Sequence, residues 1–254
     1  MFGSEQALIE GSSFQRRIAT RLFGVIHMGV RLRFWSNVAA SKGLLERGEL
    51  HILEVGSENG ALAFWLARKY PWHQVAGMEI HDDKVQQSNK LRDQLELENV
   101  EFVQGDAAEP FTFLNKFNLI FSTHVLEHIE EDSGALRNMY DALDGGGTLI
   151  LQVPRKVSEA LTERDIAGGH HRRYTEGELQ RKMEEAGFQG VEVKRCRGKL
   201  GDYAYGIDSK LASLKGPLPM NVALFPLLLL LGYIDHLTTK EPEHGGLIAI
   251  GKRG

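Results

Sequence analysis

From residue 51 onward, short runs of apolar and β-branched residues alternate with segments whose apolar positions recur every three to four residues. The runs at 51–56 (HILEVG), 73–80, 100–106, 117–123, 146–153, 191–195 and 246–252 predict strands. Several are apolar nearly throughout, as strands covered on both faces are, so the sheet is expected to be largely parallel. Between them, Leu136, Met139, Tyr140 and Leu143 fall at i, i+3, i+4 and i+7, and Leu179, Met183 and Ala186 share one helical face. Thr175 and Glu178 have the spacing of a capping box ahead of the second helix, and Gly187 supplies its stop. The pattern predicts an α/β fold with a mostly parallel sheet of seven strands and helices on both faces.

Two regions lie outside this alternation. Residues 11–37 hold Arg16, Arg17, Arg21, Arg31 and Arg33 with no acidic residue, interleaved with Phe14, Ile18, Leu22, Phe23, Val25, Ile26 and Leu32, which predicts a basic amphipathic helical segment. Residues 199–244 contain Gly216, Pro217, Pro219 and the run VALFPLLLLL. With Pro226 inside it, that run is half the length of about 20 residues that a spanning helix needs. The expected organisation is a helical cap (1–50), a core (51–198), a lid insertion (199–244) and the last core strand (245–254). Segments 11–37 and 217–234 read plainly as a helical lid over an acceptor pocket. The bolder reading adds peripheral contact with an anionic membrane surface, the arginines meeting headgroups while Phe225 and Leu227 to Leu231 reach the acyl boundary.

Composition refines this picture only slightly. The 254 residues are 42% hydrophobic and 25% charged, an ordinary globular balance, and 30 Lys and Arg against 34 Asp and Glu give a formal charge of −4. Nothing global draws such a chain onto nucleic acid. The single Cys196 excludes an internal disulfide and suits a reducing compartment. Residues 1–11 show no basic stretch followed by an apolar run, so the expected location is the cytoplasm, peripheral at the inner face of the membrane if the lid meets lipid.

Chemistry enters at the end of the first strand, where Glu54-Val55-Gly56-Ser57-Glu58-Asn59-Gly60 leads into a helical pattern. A strand, a glycine turn and a helix place free amides beside a ligand at the carboxyl edge of a sheet. Glu58 stands where dinucleotide folds have their second glycine, and its charge would repel a pyrophosphate. S-adenosylmethionine, with a sulfonium, an ammonium and no phosphate, tolerates that charge, and Glu54 suits its ammonium. Glu79 lies about 20 residues past the turn, where a carboxylate accepts from ribose hydroxyls. Asp106, beside the small Ala107, could accept from an adenine amino group. Singly, each is an ordinary solvated strand-end carboxylate; three acids at one sheet edge are costly without a partner.

The blocks ILEVGSENG, GMEI, VQGDAAE and FNLIFSTHVLEHI, in this order, resemble the class I S-adenosylmethionine-dependent methyltransferases over about residues 50–195 and again at the last strand. The resemblance implies a Rossmann-like seven-stranded sheet whose last strand is antiparallel, and S-adenosylmethionine as the cofactor. It also implies cofactor contacts from Glu54, Gly56, Gly60, Glu79 and Asp106, to which the neighbouring Ser57, Ile80, Ala107 and Thr123 are added. The fourth block lacks the Asn/Asp-Pro-Pro-aromatic signature of enzymes that methylate exocyclic amines of bases, so DNA is not an expected partner.

The segments THVLEH (123–128) and GGHHRRYT (168–175) follow the fourth and fifth strands and are expected to face one pocket. They resemble motifs of small-molecule O-methyltransferases, those of quinone biosynthesis included. For a hydroxyl acceptor the protein supplies orientation and a base, and histidine is the usual candidate. His171, helped by His128 or His124, is the expected acceptor contact, while His128 has an equal claim as scaffold. His124, Glu127 and His128 at i, i+3 and i+4 would share a helical face and, with His170 or His171, could ligate a metal. Related magnesium sites carry glutamate where this chain has His124, and magnesium prefers oxygen, so no metal is assigned. The expected function is methyl transfer from S-adenosylmethionine to an oxygen of a small or amphiphilic acceptor, a lipid-linked glycan or a quinone among the options. The alternatives are a catalytically silent cofactor-binding partner subunit and an RNA methyltransferase that sets the arginines of 11–37 on phosphates. Oligomeric state stays open.

Overall fold

The computed structural model describes residues 2–4, 8, 14–111, 116–212, 220–239 and 244–254. Residues 11–13 of the expected basic segment and 217–219 of the expected lid lie outside the described residues, as do the side chains of Phe14 and Arg16. In chain order the elements are α1 (Phe14–Phe23), α2 (Met28–Leu45), β1 (His51–Val55), α3 (Ala61–Lys69), β2 (Gln74–Glu79), α4 (Asp82–Gln94), β3 (Val100–Gln104) and β4 (Phe117–Thr123). There follow α5 (Asp132–Ala142), β5 (Leu143–Val153), α6 (Glu163–Ala167), α7 (Glu176–Glu185), β6 (Gln189–Arg197), α8 (Lys199–Ala212), α9 (Met220–Thr238) and β7 (His244–Lys252).

All seven expected strands join one sheet in the order β3-β2-β1-β4-β5-β7-β6. β1 pairs in parallel with β2 and β4, β2 with β3, and β4 with β5, while β7 runs antiparallel to β5. Parallel neighbours need a crossover, which the intervening helices supply. Strand order reverses at the β1–β4 pair, so the carboxyl ends of these two strands flank the crevice where such sheets bind ligands.

The chain divides into two compact units, Met1–Ala39 with Arg195–Gly245 and Ala40–Lys194 with Gly246–Gly254. In the larger unit β1 and β2 expose only their first residues, as the apolar runs predict. Leu53, Ile120, Leu149 and Leu151 of the sheet pack in one core with Leu136 and Met139 of α5 and Leu179 and Met183 of α7. Leu143 departs from expectation: it opens β5 instead of closing α5. It is fully buried, as the last turn of α5 would also require, so apolar spacing alone does not separate the two. α7 starts as its spacing predicts, with the Thr175 hydroxyl accepting from Glu178 N and the Glu178 carboxylate accepting from Thr175 N at 2.9 Å.

The smaller unit has its own core of Met28, Leu32, Ala204, Phe225 and Leu228. The expected single segment over 11–37 is two helices, and its arginines divide between surface and interior. Arg31 is buried, donating to the carbonyls of Phe23 and, at 3.1 Å, Val25, which satisfies the frayed C-terminus of α1. Arg33 donates to Gly29 O at 3.0 Å. Arg17 and Arg21 are the members of the set that stand exposed among the described side chains. Among the described residues, no helix is long and apolar enough to cross a membrane.

Replacing Thr175 by Ala removes the α7 cap. The expected loss is about 1 kcal/mol, seen as a melting temperature lower by roughly 2 to 4 °C in a chain of this size. An unchanged melting temperature would show that the capping box adds nothing to stability.

Candidate active site

The turn after β1 is built on left-handed residues, Gly56 (φ 74°), Glu58 (φ 50°) and Gly60 (φ 72°). A Cβ on Gly56 would overlap Val125, and one on Gly60 would lie 2.5 Å from the Phe102 ring, so both positions need glycine for space as well as conformation. The turn does not offer the free amides its sequence suggests. Gly56 N and Ser57 N donate to Met78 O at 2.8 and 2.9 Å, Gly60 N to Ser57 O at 2.7 Å, and Glu58 N to Glu79 Oε2 at 2.9 Å. The backbone demand of so sharp a turn is met internally, and carboxylate is what this edge supplies.

Glu79 is buried at the end of β2 and also accepts from His81 N through Oε1 at 3.1 Å. A carboxylate has about four acceptor sites, so roughly two remain for a ligand. Glu54 is buried at the end of β1 and accepts from Ala63 N at 2.9 Å. Burial pushes its carboxyl up to about 8; the Ala63 amide opposes this, and the charges of Glu58 and Glu79 add to it. A cation beside Glu54 would reverse that shift. Asp106 is exposed past β3, its Oδ1 accepting from Ala108 N at 2.9 Å, and Ala107 is buried with its carbonyl held by Asn138. Ile80 stands exposed beside Glu79, and Thr123 ends β4 opposite Gln152 of β5. The expected cofactor residues thus occupy the carboxyl ends of four neighbouring strands.

Beyond Thr123 the backbone turns sharply. His124 adopts φ 57° and donates its N–H to Gln152 O at 2.8 Å, and a single 3-10 turn follows at Leu126–His128. His124, Glu127 and His128 therefore do not share a helical face. Instead His124 Nδ1 lies 2.9 Å from Oε1 of Glu127, whose side chain is fully buried while the imidazole is 24% exposed. Burial pushes the Glu127 carboxyl up, but the hydrogen bond and charge of His124 outweigh it and hold the group below the usual carboxylate range.

The two histidine segments do meet, with His170 and not the favoured His171 bringing its side chain to His128 and Glu127. Glu127, His128 and His170 bring one ligand atom each within 4.8 Å of one another, a set able to hold a divalent ion. The rings of His128 and His170 contact edge-on at 4.7 Å, and His128 Nδ1 is 3.3 Å from Gly169 O. His171 is exposed and ties in through its backbone, donating to Glu127 O at 2.8 Å. The rest of HHRRYT is anchorage. Arg172 lies 3.1 Å from Asp132 Oδ2, Tyr174 donates to the same oxygen at 3.0 Å, and Lys182 donates to Oδ1 at 2.8 Å. Arg173 forks onto Asp165 at 2.7 and 3.0 Å. Arg155, two residues past β5, went unremarked in the sequence. Its Nε is buried with no hydrogen-bond partner, and no carboxylate among the described residues pairs with it. Its place just beyond a strand's carboxyl end was the available signal.

Folding raises the Glu54 carboxyl from 4.5 to about 8, so the folded state favours the protonated form. The resulting stabilisation is complete below 4.5 and is lost as pH rises through about 8. Thermal melts across this window should show the native chain losing stability relative to Glu54→Gln as pH increases. Parallel profiles for the two proteins would remove the shift.

A family model described as a methyltransferase domain matches residues 46–191, which is more than half of the chain. The ubiquinone/menaquinone biosynthesis C-methyltransferase UbiE of Idiomarina loihiensis is 30% identical over 135 residues, 52% of this chain and 53% of the relative. The release factor glutamine methyltransferase of Aliivibrio fischeri is 35% identical over 71 residues, 28% of this chain and 25% of the relative. The chain thus spans between a quarter and about half the length of these curated relatives. Among solved structures, phosphoethanolamine N-methyltransferase 2 of Haemonchus contortus, bound to phosphomonomethylethanolamine and S-adenosylhomocysteine, superimposes with a TM-score of 0.64 at 15% identity. That match covers 100% of this chain and 61% of the other and shows a shared fold. The class of fold expected from the four sequence blocks is the one observed, and the chain belongs to the methyltransferase-domain family.

Proposed function

We propose that this chain transfers a methyl group from S-adenosylmethionine to an oxygen of a small or amphiphilic acceptor, with His124, oriented by Glu127, taking the hydroxyl proton. The observation that carries the reading is the 2.9 Å contact between a part-exposed imidazole and a fully buried carboxylate at the end of β4. S-adenosylmethionine supplies a methyl carbon activated by its sulfonium. The chain's residues fit such a donor: the remaining acceptor sites of Glu79 suit a ribose diol, the buried Glu54 an ammonium, and Ile80 and Ala107 the faces of adenine, with Asp106 accepting from its amino group.

Toward the acceptor, Nε2 of His124 accepts a proton, and the Glu127 carboxylate 2.9 Å from Nδ1 stabilises the imidazolium that results. A hydroxyl is protonated at neutral pH and gains from such a base. This moves the principal role from His171 to His124, leaving His171 as a contact at the rim. The guanidinium of Arg155 favours an acceptor that carries a carboxylate or phosphate. Kinship with an enzyme named for ubiquinone and menaquinone biosynthesis supports an amphiphilic one.

Glu79→Ala should weaken S-adenosylmethionine binding by roughly 1 to 3 kcal/mol in isothermal titration. Unchanged affinity with the fold intact removes Glu79 from the site. His124→Ala should lower kcat by roughly 10² to 10⁴ while cofactor affinity holds, with a smaller fall for Glu127→Gln. A drop of less than about threefold on replacing His124 would leave it without the role of base, on the scale expected for a general base. Turnover should persist in a chelator; loss of turnover that a divalent ion restores would instead make Glu127, His128 and His170 a metal site.

A further inference from the structure

Helix α9 is apolar on both sides. Phe225, Leu228, Gly232 and Asp235 recur at i, i+3, i+7 and i+10 on its buried face. Leu224, Leu227, Leu230, Ile234 and Leu237 line the opposite side, where Leu227 is 55% and Leu237 65% exposed. A helix of 19 residues runs for about 28 Å at 1.5 Å per residue. Its acidic and basic residues are Asp235, buried and accepting from Gly198 N at 2.8 Å, and His236. The neighbouring α8, packed against α9, repeats the arrangement: Ala204 and Asp208 are buried, while Leu200, Tyr203 and Ile207 are exposed, Tyr203 by 70%. On α1, which touches α9, the exposed Arg17, Ile18, Arg21 and Leu22 fall at i, i+1, i+4 and i+5, so one face mixes guanidinium with aliphatic side chains. So much uncovered apolar surface within one unit marks an interaction site.

Charge on these helices is sorted by sign. Asp202 lies 3.1 Å from Arg197 and accepts from Gly245 N, Asp208 accepts from Met28 N at 2.9 Å, and Asp235 is held as described. The basic Arg17, Arg21, Lys199 and Lys210 are exposed, while Asp202, 35% exposed, is the acid nearest the surface among the described residues of α1, α8 and α9. Two of three acids buried and four exposed bases, beside aliphatic and tyrosyl side chains, is the composition of an interfacial helix on anionic lipid.

We propose that the exposed faces of α1, α8 and α9 form a docking surface on which this protein lies against an anionic lipid bilayer. The proposal draws on the preceding functional reading only for the amphiphilic acceptor, and its test reads binding without turnover, so either can fail while the other stands. The intact chain is sedimented with vesicles of phosphatidylglycerol and phosphatidylcholine, and with phosphatidylcholine alone, at low and at high salt. Binding is expected on the anionic vesicles and should weaken with salt. Arg17→Ser with Arg21→Ser should lower the partition coefficient about 30-fold, at about fivefold per arginine. Leu227→Ser with Leu230→Ser should also lower it, with circular dichroism showing an unchanged fold in both variants. No binding to anionic vesicles at low salt, or binding indifferent to both pairs of changes, overturns the proposal. So does a dimer, detected by light scattering, that the leucine pair abolishes, because a second copy would then be what covers the face.

Discussion

A carboxylate withdrawn from water has to find donors, and around the carboxyl edge of this sheet the buried ones find them on segments other than their own. Glu79 joins the glycine turn to the start of α4 through Glu58 N and His81 N, and Glu54 reaches the first turn of α3 at Ala63 N. Asp132 gathers Arg172, Tyr174 and Lys182, and Asp165 gathers Thr162 and Arg173. Each contact fixes a loop that would otherwise be tethered only at its ends. The same need leaves a residual imbalance. Glu54 is neutralised by protonation rather than by a cation, and Arg155 keeps a buried Nε without an acceptor. In the proposed function, Glu54 and Arg155 are the positions that ligand charge would balance.

The distribution of strain supports the same division. His124 holds φ 57° at the end of β4, a conformation that costs a non-glycine residue on the order of 1 to 3 kcal/mol. The consequence is that its Nδ1 meets Glu127 while its backbone remains tied to Gln152. Relaxed backbone would carry the ring off the carboxylate, so the site's geometry depends on the neighbouring strand as much as on the two side chains.

Much of the core was legible in the chain because its signals are local. Continuous apolar runs fix β1, β2 and β4, and Thr175 with Glu178 fixes the start of α7. The failures share a cause. Leu143 is a core position that a helix or a strand would bury alike, so periodicity does not place it. The spacing of His124, Glu127 and His128 implies a shared face only if the segment is helical, and one left-handed residue removes that premise. Arg31 reads as one more surface cation until the end of α1 is brought to it. Asp132 and Lys182 lie on different helices and meet only through the packing of α5 on α7, which no local pattern encodes. The glycine turn is legible in the sequence, yet the amides it offers to a ligand go instead to Met78 and Glu79 of β2 and to Ser57.

The position of β7 has a consequence for the chain as it leaves the ribosome. β7 sits between β5 and β6, and its pairing with β5 joins residues about 100 positions apart in sequence, from Thr148 with Lys252 to Val153 with Leu247. At ordinary rates of synthesis that interval lasts roughly 5 to 20 seconds. Throughout it the first five strands can assemble, while β5 presents an open, apolar edge to any other extended chain. The nascent protein is therefore most exposed to misassociation after much of its fold already exists, and its yield in cells should depend on chaperones that shield strand edges.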